Sequence, residues 1–303
     1  MNGGLAIVGL GEALWDLLPT GKKLGGATLN VAFHVQQLLS SRGGTGIVAS
    51  RVGQDSLGNE IVARLADGGM TSEFVQRDAA RPTGTVQVEL RDGQPHYKFA
   101  AGVAWDHLEF TPEWADLARR ATGVCFGTLA QRSARSRETI WQFVDAAGSA
   151  IRLFDVNLRP PHYDGHVVVE SCRRATHVKL NEEELPVVAH FLSLTAGAPV
   201  FQLAQLRARY ELDAVVYTRG KRGTMLVLAD NVISPAAVNY PEAADADPVG
   251  AGDACSAAIL VGFALGMSPS RIGELANHLG AFVASQPGAT PQLPDNILRL
   301  LDE

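Results

Sequence analysis

Asp247-Pro248-Val249-Gly250-Ala251-Gly252-Asp253 runs directly into Ala254-Cys255-Ser256-Ala257-Ala258-Ile259-Leu260. From Gly252 onward the pattern reads as a helix over residues 252–265, whose first turns carry almost only small side chains. A helix start exposes unpaired backbone N–H groups at the positive end of its dipole, which suits an anion. Glycines at 250 and 252 leave the backbone bare, so a phosphoryl group can approach it closely. Asp253 falls in the first helical turn, where an ionised carboxylate is favoured. Beside a bound phosphate it would accept the proton of an attacking hydroxyl. The same residues also fit a glycine-rich turn before a tightly packed helix, with Asp253 as its cap.

Outward from this segment, short apolar runs alternate with helical patterns. Strands are expected over residues 6–10, 46–50, 124–126, 153–156, 178–180 and 215–217. Helices are expected over 28–39, from Ser56 to Gly68-Gly69, over 137–147 and over 269–285. This alternation predicts an α/β fold with a largely parallel sheet and helices on both faces. Two excursions break it. Residues 85–90 and 95–100 flank Arg91-Asp92-Gly93-Gln94, a hairpin signal, and residues 14–23 interrupt the first strand–helix connection at Pro19-Thr20-Gly21. The pair would form a small β-sheet projecting from the core, or else an ordinary surface hairpin.

Composition narrows the chemistry. The chain has 303 residues, 46% of them hydrophobic, enough for a large core in one extended domain. No apolar run reaches the roughly 20 residues of a membrane span. Met1-Asn2-Gly3-Gly4-Leu5-Ala6-Ile7-Val8 reads as the approach to a buried strand rather than a signal peptide, so a cytoplasmic location is expected. A net charge of −6 without a long basic block argues against nucleic acid or an anionic membrane as partner. Cys125, Cys172 and Cys255 are widely spaced and read as buried thiols. Phosphate must therefore be held locally, by backbone amides and a few placed cations. Gly9-Leu10-Gly11 lacks the rest of a dinucleotide fingerprint, and there is no P-loop signature. His34, His96, His162 and His166 show no ligand spacing.

Asp247 to Asp253 resembles the C-terminal signature of the ribokinase/PfkB family of carbohydrate kinases, with Pro248 where threonine is usual. Other segments fit that family in order: Gly25-Gly26-Ala27-Thr28-Leu29-Asn30, Asp16, Asp155-Val156-Asn157-Leu158-Arg159, Lys179-Leu180-Asn181-Glu182-Glu183-Glu184, and Thr218-Arg219-Gly220-Lys221-Arg222-Gly223. The resemblance implies a ribokinase-like three-layer sandwich, one domain over residues 1–303, with a β-sheet lid from segments 14–23 and 82–105. It implies Asp253 as catalytic base, residues Gly250, Ala251 and Gly252 as an anion hole, and Arg159 beside the transferring phosphate. Asp16, Gly25, Gly26, Asn30 and Asn157 would contact the sugar. Lys179, Asn181, Thr218, Gly220, Gly223 and Asn277 would lie on the ATP side with Gly250 and Gly252.

Glu184 would face Mg2+ through water, in keeping with that ion's retained hydration shell. Asp247, Val249, Ala284 and Gly288 would offer carbonyls to a monovalent cation such as K+. Residues 11–19, 81–86 and 104–106 resemble the fructokinase branch most, which implies phosphorylation of D-fructose to fructose 6-phosphate. Kinases of 2-keto-3-deoxygluconate, ribose or nucleosides, and a sugar-binding regulator without transfer, are the alternatives. ATP and a small sugar are the expected partners, and an exposed lid-sheet edge would suit a homodimer.

Overall fold

A computed structural model describes residues 4–18, 21–91 and 94–302. Among them the strands form a sheet of nine and a sheet of four. The strands, in chain order, are β1 (Ala6–Leu10), β2 (Leu14–Leu18), β3 (Gly21–Gly25), β4 (Thr45–Gly53), β5 (Val75–Asp78), β6 (Gly84–Arg91), β7 (Gln94–Phe99), β8 (Gly123–Gly127), β9 (Ile151–Asp155), β10 (His177–Asn181), β11 (Ala214–Thr218), β12 (Thr224–Val227) and β13 (Val232–Ile233). The large sheet runs β13-β12-β11-β10-β9-β8-β1-β4-β5. Its strands from β11 to β5 are parallel, and β12 and β13 add on antiparallel.

The central strands β1 and β8 carry no polar side chain because helices cover both faces. β1 is buried at every position. One face packs α3 (Pro112–Arg120), α4 (Ala134–Ala146), α5 (Gly165–Arg174), α6 (Glu184–Phe191) and α7 (Pro199–Arg209), through Leu117, Phe143, Val168, Val188 and Leu206. The other face packs α1 (Ala27–Leu39), α8 (Ala251–Ala264) and α9 (Pro269–Ala284), through Val35, Ile259 and Leu279. The expected three layers are present. α8 is buried along most of its length, so small side chains are what let it lie against both α1 and the sheet.

The four-stranded sheet runs β3-β2-β6-β7, with β2 parallel to β6 and each hairpin antiparallel. The two excursions of the sequence thus pair with one another as expected. The turn residues Pro19, Thr20, Asp92 and Gly93 lie outside the described residues. A third core joins this sheet to the body: Trp15, 1% exposed, packs with Leu29 of α1 and with Ile61 and Leu65 of α2 (Ser56–Asp67). Trp15 Nε1 donates to the Leu57 carbonyl at 3.1 Å, so the indole is anchored at both its apolar body and its polar edge. Among the described residues no helix is long and apolar enough to cross a membrane.

Candidate active site

Parallel strands deliver their following loops to one edge of the sheet, where ligands of open α/β folds gather. β1 leads to Glu12 and Asp16, β9 to Asn157 and Arg159, β10 to Asn181 and Glu184, and β11 to Thr218 and Gly220. The start of α8 meets these loops and carries Asp253 in its first turn. Residues scattered from position 12 to position 253 therefore converge.

At the centre, Asn30 Nδ2 donates to Asp253 Oδ2 at 2.8 Å. Asn30 is 3% exposed, and its own Oδ1 is buried without a partner among the described residues. A buried acceptor left open is costly unless something donates to it, so it marks a place for a hydroxyl. Desolvation pushes the Asp253 carboxyl up to about 6, with Asp155 adding to the rise, while Asn30, Lys179 and Arg159 pull it down. Asp16, beside Gly25, is likewise pushed up to about 6 by desolvation, against the pull of Arg159 and Lys23. Arg159 itself is exposed and, among the described residues, donates only to the Leu158 carbonyl, at 3.1 Å. Its charge nonetheless reaches Asp16, Glu12 and Asp253. Asn157 has φ of 39°, a left-handed conformation that asparagine tolerates well.

Gly250 precedes α8 with φ of 81°, and a Cβ there would stand 2.6 Å from the Ala289 Cα and carbonyl oxygen. Both conditions demand glycine. Gly250 provides no side-chain cap; the Ala251 amide donates to the Pro248 carbonyl at 3.3 Å, while the Gly252 and Asp253 amides have no acceptor among the described residues. Beneath Gly252 lies Lys179, whose Nζ is 3.5 Å from where a Cβ on that glycine would be. Lys179 bonds both oxygens of Asp155, at 3.0 and 2.9 Å, and Ser256 Oγ donates to Asp155 at 2.7 Å. Asp155 pairs across the β9–β10 register, where Lys179 stands directly opposite.

The loops at the mouth are tied together through Asp247. Its Oδ2 accepts from Lys23 Nζ at 2.9 Å and from the Gly288 amide at 3.2 Å, and its Oδ1 accepts from the Val249 amide at 3.1 Å. Asp247, Val249 and Gly288 are thus brought side by side, and Ala284 ends the helix that leads to them. Glu184 is 6% exposed and accepts from the Leu158 and Asn181 amides at 2.9 and 2.8 Å. Asn181 Oδ1 in turn accepts from the amides of Glu183 and Glu184. The Thr218–Gly223 segment is a tight turn between antiparallel β11 and β12.

Asn277, expected on the ATP side, is 6% exposed; its side chain accepts from the Thr224 amide and donates to the Pro235 and Ala236 carbonyls, which fixes the loop after β13. Lys179, expected on the ATP side, is 5% exposed and lies beneath Gly252.

Sequence reasoning passed over Glu12, which is 3% exposed and lines a pocket of about 10 Å³ with Asp155, Asn157 and Thr128. Desolvation pushes its carboxyl up to about 7 against the amides that donate to it, with Asp253 adding to the rise. A lone acid in an apolar strand exit was the available signal.

The model of the pfkB family carbohydrate kinases matches residues 19–296. A fructokinase from Klebsiella pneumoniae is 32% identical, over 99% of this chain and 100% of that protein. An uncharacterized sugar kinase from Pyrococcus horikoshii has a solved structure with TM-score 0.82 at 27% identity, covering 97% of each chain. A fructokinase from Xylella fastidiosa, solved with bound ATP, has TM-score 0.82 at 22% identity over 98% of each chain, a likeness of fold. With the family's pattern matched across nearly its whole length, and with an acid, an amide and an open helix start converging at one sheet edge, the chain belongs to the pfkB family of carbohydrate kinases.

Proposed function

We propose that the protein transfers the γ-phosphoryl group of ATP to D-fructose, giving fructose 6-phosphate. The observation that carries this reading is Asn30, pinned by its amide nitrogen to Asp253 while its oxygen stays buried and open. A sugar hydroxyl donating to that oxygen would sit beside the carboxylate that takes the reacting proton. Asp16, Asn157, Gly25 and Gly26 complete the sugar side. The hydroxyl oxygen attacks the γ-phosphorus, ADP leaves, and the amides of residues 250–252 face the negative charge that develops. Arg159 faces the same charge from the opposite loop.

Thr218, Gly220 and Gly223 form the nucleotide side. Among the described residues no cluster of metal-ligating side chains occurs, which fits a metal held mainly by nucleotide and water. Glu184 and Asn181 are the residues that would hold Mg2+ through water, and the ion would offset phosphate charge there. The loops joined through Asp247 would hold a K+ ion on the carbonyls of residues 247, 249, 284 and 288. Closure of the four-stranded sheet over the sugar would exclude water and suppress ATP hydrolysis. The unpaired outer edges of that sheet are where two copies would join as a homodimer.

Fructose rests on the Klebsiella relative, which is a fructokinase, and on the segments around Glu12, Thr83 and Trp105. A coupled ADP-release assay over fructose, ribose, 2-keto-3-deoxygluconate and a nucleoside tests it. Fructose is expected to turn over fastest; turnover of another sugar with none of fructose overturns the assignment. Gly250→Ala is expected to lower turnover by roughly 10²-fold or more, since it displaces an amide of the anion hole. The added methyl group would meet Ala289. Turnover within threefold of the parent would remove Gly250 from the hole.

A further inference from the structure

α1 starts without a cap of its own. Its N-cap residue is Gly26, at φ of 112°, and no side chain of that residue accepts from the helix. The acceptor comes from elsewhere in the chain: Glu12 Oε1 takes the Ala27 amide at 3.0 Å. The Glu12 carbonyl oxygen lies 2.4 Å from where a Cβ on Gly26 would stand, and Thr28 Oγ1 donates to it at 3.4 Å. The exit of β1 and the start of α1 are therefore joined by two hydrogen bonds and a close backbone approach that only glycine allows. The Asn30 amide donates to the Gly26 carbonyl at 2.9 Å, so Asn30 belongs to this same first turn. From there its side chain reaches Asp253.

We propose that Glu12 is a positioning residue for phosphoryl transfer: it caps α1 from outside the helix and so holds Asn30 against Asp253. The proposal rests on the assignment of Asn30 and Asp253 to the reacting sugar hydroxyl. A capping side chain accepts one of the amides a helix start leaves open, and without it the first turn frays. Fraying here moves Asn30, and with it the orientation of the base. Glu12 is 3% exposed and lines the small pocket beside Asp155; besides its bond to this turn, its charge interacts with Asp253 and Arg159.

The test uses the full chain and whichever sugar it turns over fastest. Glu12→Ala is expected to lower kcat roughly 10- to 100-fold, the scale of a small misplacement of reacting groups. It should raise KM for the sugar and leave KM for ATP within about twofold, because Thr218, Gly220 and Gly223 of the nucleotide side come from β11 and the turn after it. Glu12→Gln keeps an oxygen acceptor and should recover most of the loss. In a double-mutant cycle, adding Glu12→Ala to Asn30→Ala should cost little more than Asn30→Ala alone. Should the alanine variant not fold, Glu12→Asp, whose acceptor is one methylene short, must show the same loss of kcat. Losses that add across the cycle, or a glutamine variant as impaired as the alanine one, overturn the proposal. If instead Asp253 is not the base, Asp253→Asn keeps its turnover while the Glu12–Asn30 coupling still reads out.

Discussion

Asp253→Asn is expected to keep sugar binding and to lose roughly 10²–10⁴-fold in turnover, the range that general-base catalysis supplies. The substitution is nearly isosteric, and an amide oxygen can still accept from Asn30 Nδ2, so the first turns of α1 and α8 remain joined. Only the proton acceptor is lost. Because desolvation pushes the Asp253 carboxyl up to about 6, kcat/KM for the sugar should rise as pH climbs through that value. Glu12, up at about 7, is electrostatically linked to Asp253, so the acid limb belongs to the pair.

The same shift predicts a stability effect of definite sign. Unfolded, the group ionises from about 3.8; folded, it holds its proton to about 6. Between those values the folded state binds more protons, so its stability from this group declines as pH rises. Asp253→Asn removes that decline and should melt higher than the parent at pH 7, with the difference vanishing below about pH 4. A folded variant with near-normal turnover and an unchanged acid limb would end the assignment of Asp253 as base.

The architecture was legible because parallel strands covered on both faces read as continuous apolar runs, as in β1, β8 and β11. β5, Val75-Gln76-Arg77-Asp78, gives no such run; it lies at the sheet edge, where Asp78 is bound by Arg51 rather than by apolar neighbours. The glycine turn that starts α8 was legible too, since glycines and a helix start are local features. Contacts made across the fold were not. Asn30 and Asp253 are 223 positions apart, and only the family resemblance placed them together. Glu12 caps a helix 15 residues downstream, a pairing set by how β1 and α1 pack, which no local spacing encodes. Lys179 did leave a trace: a lysine inside the apolar run of β10 needs a buried acid. Its identity depended on the strand register.

That lysine carries the second large expectation. Lys179→Met should destabilise the protein by about 3–5 kcal/mol, the cost of removing one member of a buried ion pair. Lys179 and Asp155 have side chains only 7% and 5% exposed. Burial alone would pull the ammonium down, but Asp155, with Cys255 and Glu184, outweighs it and holds the charge in place. Methionine fills much the same space and supplies no charge, leaving Asp155 with Ser256 as its remaining side-chain donor. For a chain of this size the melting temperature should fall by on the order of 10 °C. Adding Asp155→Asn to Lys179→Met removes the stranded carboxylate, and the pair should recover more than half of the lost stability. Turnover should not recover with it, because on the proposed mechanism the ammonium beneath Gly252 would also add positive potential where the phosphoryl group arrives. Denaturant melts and kcat measured on the same three variants separate the two roles. Additive destabilisation would show that the ion pair does not couple the strands, and full recovery of turnover in the double variant would show that Lys179 serves the fold alone.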